Sequence, residues 1–281
     1  MNRRKRAGRL LGEARRGRIL EWLREEGSAR VSVLAQALAV SEVTVRQDLE
    51  KLEAEGHIVR EHGGAFLKSV PAQVRAMALA HRENRDAKQR IGRVAAAKVE
   101  DGETIIIDAG STTTEVAANL FGRQDVTVIT TGLNIALMLG AEPGFDVHVT
   151  GGHFKAPTLS LSGERSADYF RGLYAQKLFL ATAAIDVEHG LTYPALSDIA
   201  VKRAMIDSAQ TVYLVADSSK IGQRSFCVLG GLDNIDVLVT DDGIRDEQRK
   251  SIEAANVEVI VANQRSSGAA DSARRPAEMK S

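Results

Sequence analysis

Short apolar runs rich in β-branched residues recur from residue 104 onwards, and they restrict the fold more than any other feature of the chain. Helical patterns separate these runs, and several of them end in small or polar residues. Strands that are apolar on both faces are typical of a largely parallel sheet covered by helices. In chain order the runs are TIIID, VTVIT, VHVTGG, KLFLATAAID, TVYLVAD, VLVTD and VEVIVA. The larger part of the chain is therefore predicted to have an α/β fold.

The first seventy residues have helical rather than strand-like spacing of their apolar residues. A first helix carries Ile19, Leu20 and Leu23 on one face and is expected to end at Gly27. A second, short helix is expected to bury Val33, Leu34, Ala37 and Leu38. Three helices followed by a hairpin would form a small domain of their own.

The third helix has clear start and stop signals. Ser41 can cap its first turn, and the helix is expected to run to about Glu55 before Gly56 stops it. The following run, HIVREHGGAFL, predicts a hairpin that turns at Gly63 and Gly64.

The charge distribution separates the same two parts of the chain. The whole chain has no net charge and a pI of about 7.0, which alone argues against nucleic-acid binding. However, residues 1–70 carry 14 Lys/Arg against 10 Asp/Glu, and eight of those basic residues fall within the first eighteen positions. A basic amino-terminal part on an acidic body suits a polyanion-binding module, although a solvated charged tail explains the charge equally well.

Several classes of protein are excluded by the composition. Cys227 is the only cysteine, so the chain has no intrachain disulfide and no multi-cysteine metal site. His148, His153 and His189 lack metal-ligand spacing, and neither a metal nor another cofactor is expected. No apolar run reaches the roughly 18 residues of a membrane span, and the basic amino terminus lacks the apolar core of a signal peptide. A cytoplasmic location is expected.

The third helix has an inner and an outer face. At about 100° per residue, Val45, Leu49 and Leu52 fall within one narrow arc and form the expected buried stripe. The opposite arc carries polar and small apolar side chains that suit a DNA major groove, where Gln pairs with adenine, Arg with guanine and methyl groups with thymine. A solvated face is the alternative for a helix of this composition. The outer residues are Val43, Thr44, Arg46, Gln47 and Lys51.

The segment VSVLAQALAVSEVTVRQDLEKLEAEGHIVREHGG closely resembles the winged helix–turn–helix signature of the DeoR/GlpR family of bacterial transcription regulators. That signature runs Val-Ser, two spacers, Thr-Ile-Arg-Arg-Asp-Leu and an Arg-x-His-Gly-Gly wing. Residues 40–41, 44–49 and 60–64 match it, with Gln47 in place of the usual second Arg. The resemblance implies that double-stranded operator DNA is contacted by Ser41, Val43, Thr44, Arg46, Gln47, Lys51, Arg60 and His62.

A strand, a small-residue loop and a helix follow one another in TIIIDAGSTTTEVAANL. Gly110 permits a tight turn, and Ser111, Thr112 and Thr113 offer hydroxyls and amides at a helix amino terminus, where the helix dipole favours anions. A phosphate is the natural occupant, and simple helix capping by a threonine is the alternative. The loop is neither a Walker P-loop nor a dinucleotide fingerprint.

Two lysines could complete an anion site, although each alone is more typical of a protein surface. Lys202 lies in SDIAVKRAMI and Lys220 in ADSSKIG, just past a strand. Both match the carboxy-terminal sensor domain of the same family, as do DAGSTT, TTGLNIA and the Gly151-Gly152 strand end. That domain resembles ribose-phosphate isomerases and coenzyme A transferases and typically senses phosphorylated sugars or sugar alcohols. The effector-binding residues so implied are Asp108, Gly110, Ser111, Thr112, Thr113, Thr131, Asn134, Gly151, Gly152, Lys202, Asp217 and Lys220.

The resulting organisation is a basic arm (1–15), a winged helix–turn–helix domain (16–68, with the helix–turn–helix at about 31–50), a linker (69–88), a sensor domain (89–262) and a disordered tail (263–281). The predicted function is a non-enzymatic, homo-oligomeric repressor of a carbohydrate-utilisation operon, relieved by a phosphorylated sugar or sugar alcohol. Two alternatives remain: a sugar-phosphate isomerase with an accessory DNA-binding module, and an architectural DNA binder. Catalysis would need a positioned general base, for which Asp108, Asp186 and Asp217 are the strand-end candidates.

Overall fold

The structure is a computed structural model that describes residues 12–25, 28–61, 64–69, 81, 83–156 and 158–263. It divides into two compact units, residues 1–80 and residues 81–281. Several predicted features lie outside the described residues: most of the basic arm, Gly27, His62 with Gly63, positions 70–80 of the linker, and the tail from residue 264.

The first unit combines helices with a small antiparallel sheet whose strand order is β1-β3-β2. Strands β2 and β3 pair along their whole length and form the predicted hairpin. The unit has the winged helix–turn–helix arrangement that the sequence predicted. Its elements are α1 (Gly12–Glu25), β1 (Ser28–Arg30), α2 (Val31–Ala37), α3 (Glu42–Ala54), β2 (Ile58–Glu61) and β3 (Gly64–Leu67).

One apolar cluster holds the first unit together. Ile19 of α1, Leu34 of α2 and Val45 of α3 are fully buried in it, together with Leu49 and Leu52. The inner stripe predicted for the third helix is therefore confirmed. Its end is also as predicted, because α3 stops at Ala54 and Gly56 takes a left-handed φ of 77°.

The inner face predicted for α2 is confirmed at Leu34 and Leu38 and is wrong at Val33 and Ala37. Val33 is 42% exposed and Ala37 is exposed, whereas Ala35 is buried and Leu38 half-buried. The helix begins at Val31, so its apolar stripe follows positions 31, 34, 35 and 38, the i, i+3, i+4, i+7 spacing of one helical face.

Two helices begin before the predicted starts of their domains, residue 16 and residue 89. Helix α1 begins at Gly12, so Arg15, assigned to the basic arm, is part of a helix. Helix α4 (Arg85–Ala96) begins inside the segment assigned to the linker.

The second unit is built on a seven-stranded sheet with the order β15-β14-β12-β9-β4-β5-β6. Every neighbouring pair in this sheet is parallel, as predicted. Two smaller antiparallel sheets, β10-β11-β13 and β7-β8, follow strand ends of the large one. After α4 the elements are β4 (Thr104–Ile107), α5 (Ser111–Ala118), β5 (Val126–Thr130), α6 (Leu133–Leu139), β6 (Phe145–Val149), β7 (His153–Lys155), β8 (Ser160–Ser162), α7 (Glu164–Tyr169), β9 (Ala175–Ala181), β10 (Ala184–Asp186), β11 (Gly190–Tyr193), α8 (Leu196–Asp207), β12 (Ala209–Val215), a 3-10 turn (Ser218–Lys220), β13 (Cys227–Gly230), a second 3-10 turn (Leu232–Asn234), β14 (Val237–Asp241), α9 (Asp246–Glu253) and β15 (Glu258–Ala262).

Both faces of the large sheet are buried, which explains why its strands are apolar throughout. In β4, Ile105 and Ile107 belong to one core cluster and Ile106 to the other. Helices α4, α5 and α6 cover the first face, and α8 and α9 cover the second. Helices α4 and α5 pack closely where Gly92 meets Glu115. A Cβ on Gly92 would lie 2.5 Å from the main chain of Glu115, so this position has no room for a side chain. Among the described residues, no helix has both the length and the apolar character that a membrane span requires.

Candidate nucleic-acid interface and effector site

The start of α3 is fixed by its own first turn. The Oγ of Ser41 accepts a hydrogen bond from the main-chain N–H of Thr44 at 3.2 Å, as predicted for an N-cap. The two hydroxyls also share a hydrogen bond of 2.9 Å. Because a capped helix start fixes the rotation of the first turn, the side chains that follow point in defined directions.

The outer face of α3 is exposed. Val43 is 61% exposed, and Gln47 and Lys51 are also exposed. Arg46 is exposed but forms an ion pair with Glu42 one turn earlier, at 2.8 Å. Thr44 is half-buried. The predicted outer set is therefore wholly or partly exposed, and Arg46 and Thr44 are the members that already contact a neighbouring side chain.

Asp48, which was not among the predicted residues, anchors α3 to α1. It is buried, and one of its oxygens accepts a hydrogen bond from Nε of Arg15, while Arg16 lies 3.8 Å from the other. Its place three residues after Val45 and one before Leu49 puts it on the inner face, so helical spacing could have found it.

The wing is tied to α3 through Arg60. Its guanidinium contacts Glu53 at 3.0 Å and Glu50 at 3.4 Å, and its main-chain N–H donates to Glu53. A phosphate contact by Arg60 would therefore share this guanidinium with two carboxylates. His62, the other predicted wing residue, lies outside the described residues.

The predicted effector residues lie at the carboxyl edge of the parallel sheet. From the centre of this sheet, successive strands are added in two directions. Strands β5 and β6 follow β4 on one side, and β12, β14 and β15 follow β9 on the other. The switch point is between the neighbouring strands β4 and β9, and ligands of open α/β sheets bind in the crevice outside such a point.

Asp108 and Lys202 meet at this switch point and bind each other. Asp108 follows β4, and its Oδ2 accepts hydrogen bonds from Nζ of Lys202 and from the main-chain N–H of Ala181 at 3.1 Å, while its Oδ1 accepts from the N–H of Ala109 at 2.8 Å. Lys202 also lies 4.6 Å from the ring centre of Tyr193. Both members of the pair are buried. Lys202 was predicted to complete an anion site, but its charge is matched by Asp108.

The neighbours of Lys202 favour its protonated form. Burial by itself lowers the pKa of Lys202, but the neighbouring Asp108 and Tyr193 outweigh burial and raise the pKa above its usual value. Burial raises the pKa of Tyr193 to about 12, and its hydroxyl donates to the main-chain oxygen of Ala181 at 2.7 Å. An ammonium held in this way is a positioned cation and not a nucleophilic amine.

The loop before α5 packs tightly against β9. A Cβ on Gly110 would lie 2.7 Å from the Cβ of Ala181, so this position requires glycine. The hydroxyls of Thr113 and Thr114 donate to the main-chain oxygen of Gly110 at 3.0 and 2.7 Å. The capping alternative is therefore wrong here, because no side chain among the described residues caps the start of α5 and these hydroxyls donate to a carbonyl. The first N–H groups of a helix have no acceptor within it and stay suited to an anion.

Ser111 is half-buried and Thr112 buried beside this loop. Asn134, at the start of α6, donates to the hydroxyl of Thr114 at 2.8 Å, which joins the ends of β4 and β5. Thr131 is buried, and its main-chain oxygen accepts from Leu161 of β8 at 2.9 Å. The structure thus brings together the predicted residues that follow β4 and β5.

Gly151 and Gly152 are exposed just past β6. Gly152 has a φ of 129°, and an added Cβ would lie 2.2 Å from Oγ of Ser166, so a side chain does not fit there. The neighbouring Thr150 is buried, and its hydroxyl has no hydrogen-bond partner among the described residues. Beyond this turn, Lys155 forms an ion pair with Asp198 of α8 at 2.6 Å, a contact that crosses between distant segments and was not predicted.

Asp217 and Lys220 lie in one turn after β12. The carboxylate of Asp217 caps the turn by accepting from the N–H of Ser219 at 3.2 Å. Asp241, at the end of β14, holds the same turn by accepting from the N–H of Ser218 at 2.6 Å and from its hydroxyl at 3.0 Å. Lys220 is half-buried. Asp241 was not predicted, although its place at a strand end pointed to this edge.

A cluster of Asp186, Glu188 and His189 has ligand atoms within 4.8 Å of one another. However, Asp186 already contacts Arg224 at 2.8 Å and His189 at 2.9 Å. The hydrogen bond from Arg224 holds the pKa of Asp186 below its usual range. This carboxylate therefore serves a surface ion pair.

Comparison with protein families assigns both units. The profile of the DeoR-like helix-turn-helix domain matches residues 15–70, and that of the DeoR C terminal sensor domain matches residues 83–242. The chain belongs to the DeoR family. It is a DNA-binding transcriptional regulator with a carboxy-terminal sensor unit.

Several relatives match this chain over most of their own length. The HTH-type transcriptional regulator GlpR of Haloferax volcanii is 33% identical over 251 residues, covering 89% of this chain and 98% of that protein. The putative aga operon transcriptional repressor of Escherichia coli O157:H7 is 31% identical, with 88% and 93% covered. The HTH-type transcriptional repressor GlcR of Bacillus subtilis is 34% identical, with 79% and 86% covered.

Two solved structures show a remote likeness to the chain. Ribose 5-phosphate isomerase from Plasmodium falciparum is 17% identical with a TM-score of 0.34, covering 48% of this chain and 52% of that one. The translation initiation factor eIF-2B of Pyrococcus horikoshii OT3 is 19% identical with a TM-score of 0.36, covering 78% and 76%. Likenesses at these TM-scores carry no functional conclusion.

Proposed function

We propose that this DeoR-family regulator represses a carbohydrate-utilisation operon, that α3 reads the operator, and that a phosphorylated sugar or sugar alcohol relieves repression. The observation that carries the proposal is the exposed outer face of α3, with Val43, Gln47 and Lys51 on the surface of a rigid, capped helix. Two relatives, the GlcR repressor and the putative aga operon repressor, support the carbohydrate assignment.

DNA recognition is assigned to two groups of side chains, one at base edges and one at phosphates. Gln47 and Arg46 would contact base edges, with Val43 and Thr44 beside them. Lys51, Ser41 and the wing residues Arg60 and His62 would contact phosphates. Readers of this type bind repeated half-sites as dimers, so we propose a homo-oligomer. Because it acts on the chromosome of the cell, we place it in the cytoplasm.

The effector is assigned to the carboxyl edge of the sheet. Its phosphate would lie at the amino terminus of α5, against Ser111, Thr112 and Thr113, with Lys220 as a further positive charge. Its hydroxyls would meet the polar groups of the neighbouring strand ends, which include Thr131, Asn134 and Asp217. Gly151 and Gly152 leave main-chain groups open to a ligand at the end of β6.

A binding role fits this edge better than catalysis. A general base must be within reach of the substrate proton and able to accept it. Both oxygens of Asp108 already accept hydrogen bonds, one of them from a lysine. We therefore propose that the sensor unit binds its ligand without turning it over.

A DNA-binding titration tests the proposal. DNA selected from a random pool is bound by the full chain, and glucose 6-phosphate, fructose 1-phosphate, ribose 5-phosphate and glycerol 3-phosphate are added in turn. One of them is expected to weaken binding about a hundredfold, which requires a preference of roughly 3 kcal/mol for the non-binding form. Turnover of a sugar phosphate, or no response across a wider panel, would count against the sensing role.

A further inference from the structure

Asn84 contacts the turn that follows β12, far along the chain. It directly precedes α4 and has a left-handed backbone, with φ 50° and ψ 34°. Its side chain makes no capping bond to its own helix. Instead, its amide donates to Oδ1 of Asp217 at 2.8 Å and to Oγ of Ser219 at 3.2 Å. The start of the sensor unit therefore contributes a side chain to the sheet edge at which the effector is proposed to bind.

The two oxygens of Asp217 differ in what they contact. Oδ1 accepts hydrogen bonds from Asn84 and from both the main-chain N–H and the hydroxyl of Ser219. Oδ2 is buried and has no hydrogen-bond partner among the described residues. Buried polar atoms are normally hydrogen-bonded, so Oδ2 is an acceptor that a bound ligand can satisfy. The three donors on Oδ1 hold the carboxylate in one orientation, and this orientation decides where Oδ2 points.

The carboxylate of Asp217 lies just below the surface of this sheet edge. Asp217 is 2% exposed, whereas Asn84 and Ser219, which hold its Oδ1, are exposed. A ligand group that reaches Oδ2 is therefore enclosed by protein and shielded from water. A hydrogen bond is stronger in such surroundings, and a buried acceptor left without one is costly. Oδ2 can therefore distinguish sharply between ligands that carry a donor and ligands that lack it.

The neighbouring lysines indicate which kind of donor suits Oδ2. A carboxylate oxygen accepts from a hydroxyl or from an ammonium group. Lys88, one turn after Asn84 in α4, is buried, and burial lowers its pKa against the opposing effect of Asp217, while the charge of Lys220 lowers it further. Two lysine side chains thus act near one carboxylate, and like charges repel. They disfavour a cationic donor, so the matching ligand is an anion that carries a neutral hydroxyl.

We infer that Asn84 is a positioning residue of the effector site, and that Oδ2 of Asp217, which it orients, selects effectors by one hydroxyl group. The hydroxyl donates to Oδ2 while the amide of Asn84 stays on Oδ1, so neither displaces the other. The inference rests on the proposed function and narrows the effector to phosphorylated ligands with a hydroxyl in contact with Asp217.

The variant Asp217→Asn tests Oδ2 separately from Oδ1. Because three donors face Oδ1, the new side chain is expected to place its oxygen there and its NH2 group at the position of Oδ2. The contacts to Asn84 and Ser219 are then kept, while the acceptor for the ligand becomes a donor. Asp236→Asn is the matched control, because it removes the same charge from an exposed residue just before β14, at the amino edge of the sheet.

The ligands are whichever of the four sugar phosphates releases the parent from selected DNA, together with its monodeoxy analogues, each of which lacks one hydroxyl. Binding to the full chain is measured by calorimetry. The parent is expected to bind one analogue at least about tenfold more weakly than the complete compound, as for a lost hydrogen bond to a charged group. In Asp217→Asn this ratio is expected to fall below about threefold, while the ratios for the other analogues stay within about twofold of the parental ones. Asp236→Asn should keep every ratio of the parent.

Asn84→Gly tests the positioning role. Glycine adopts the left-handed backbone without strain, so the variant removes the amide donor and keeps the chain path. Ser219 still holds Oδ1, so the ratio for the same analogue should fall by about threefold, less than in Asp217→Asn. A purely structural role would weaken the binding of every analogue alike and leave the ratios unchanged. Asn119→Gly, which removes an exposed asparagine whose amide donates to the main chain of Glu115 at 2.7 Å, should keep the parental ratio.

Two results would overturn the inference and leave the proposed function standing. One is a set of parental ratios in Asp217→Asn, which would mean that no hydroxyl meets Oδ2. The other is a parental ratio in Asn84→Gly, which would remove Asn84 as a positioning residue. Thermal melting of all four variants shows that a changed ratio is not a change in folding. If none of the four compounds releases the parent from DNA, the proposed function fails and the inference fails with it.

Discussion

The two predicted binding surfaces differ in what their polar side chains already contact. On α3, Gln47 and Lys51 extend into solvent from a helix whose inner face is fixed by its core. At the edge of the large sheet, Asp108 and Lys202 are buried and bind each other. A side chain that is exposed on a rigid helix is available to a partner, whereas a buried ion pair has used its charges on itself. Individual residues of the first surface can therefore be assigned to contacts with a partner. The buried ion pair of the second surface instead stabilises the structure around the site.

Removing one member of the buried pair in the sensor unit should have the largest effect. Lys202→Met leaves the carboxylate of Asp108 buried without its counter-charge, so the free energy of unfolding is expected to fall by about 3–5 kcal/mol. Urea unfolding followed by circular dichroism measures the loss, and the single tryptophan, Trp22 of α1, reports the first unit separately by fluorescence.

Two further variants show whether that loss comes from the ion pair. Lys98→Met removes an exposed lysine just after α4 and is expected to change stability by no more than about 0.5 kcal/mol. Lys202→Met combined with Asp108→Asn should recover part of the loss, because no buried charge remains. If Lys202→Met alone lowers the free energy of unfolding by less than about 1 kcal/mol, the ion pair does not stabilise the sensor unit as expected.

The first unit also contains a buried ion pair, Asp48 with Arg15. Weakening this pair should destabilise the protein less than Lys202→Met does. Asp48→Asn keeps an acceptor for Arg15 but removes the charge, so a loss of about 1.5–3 kcal/mol is expected in unfolding followed by Trp22 fluorescence. Glu42→Gln is the control, because its pair with Arg46 is exposed and should contribute less than about 1 kcal/mol. Equal effects of the two variants would remove the distinction between buried and exposed pairs.

Helical spacing predicted the surface of α3 because one repeat decides both faces of a helix. The positions of Val45 and Leu49 fixed the inner side, and Gln47 then had to face outward. Asp48 was assigned to neither face, although at about 100° per residue it lies roughly 60° from Val45, on the inner side of the helix. Its partner Arg15 lies 33 residues away, and no local pattern connects such positions.

At the sheet edge the sequence predicted which residues gather but not which ones pair. Parallel strands bring their carboxyl ends together, so Asp108 and Asp217 were expected at one edge. The pairing of Asp108 with Lys202 joins positions 94 residues apart and depends on how α8 packs, which the sequence pattern does not contain. Asn84, whose amide donates to Oδ1 of Asp217 at 2.8 Å, was missed for another reason, because it lies within the segment assigned to the linker.

Gln47 tests whether the exposed surface reads bases. Gln47→Ala is expected to cost about 1–3 kcal/mol at one base position and to relax sequence preference there. Repeating the selection from a random pool with the variant identifies the position. Gln36→Ala, which removes an exposed glutamine from α2 outside the predicted set, should leave the selected sequence unchanged. Equal weakening on selected and random DNA would instead make Gln47 a backbone contact.

Lys51 should give the smallest effect, one that is visible only as salt dependence. A phosphate contact contributes equally on every sequence, and removing one lowers the slope of log affinity against log salt by about one. Lys51→Ala is therefore expected to weaken binding to selected and random DNA alike, in anisotropy titrations repeated at several salt concentrations. Lys98→Ala in the second unit is the charge-matched control and should keep the parental slope. If the slope of Lys51→Ala also stays parental, the outer face of α3 meets DNA through Val43 and Gln47 without a phosphate contact from its last turn.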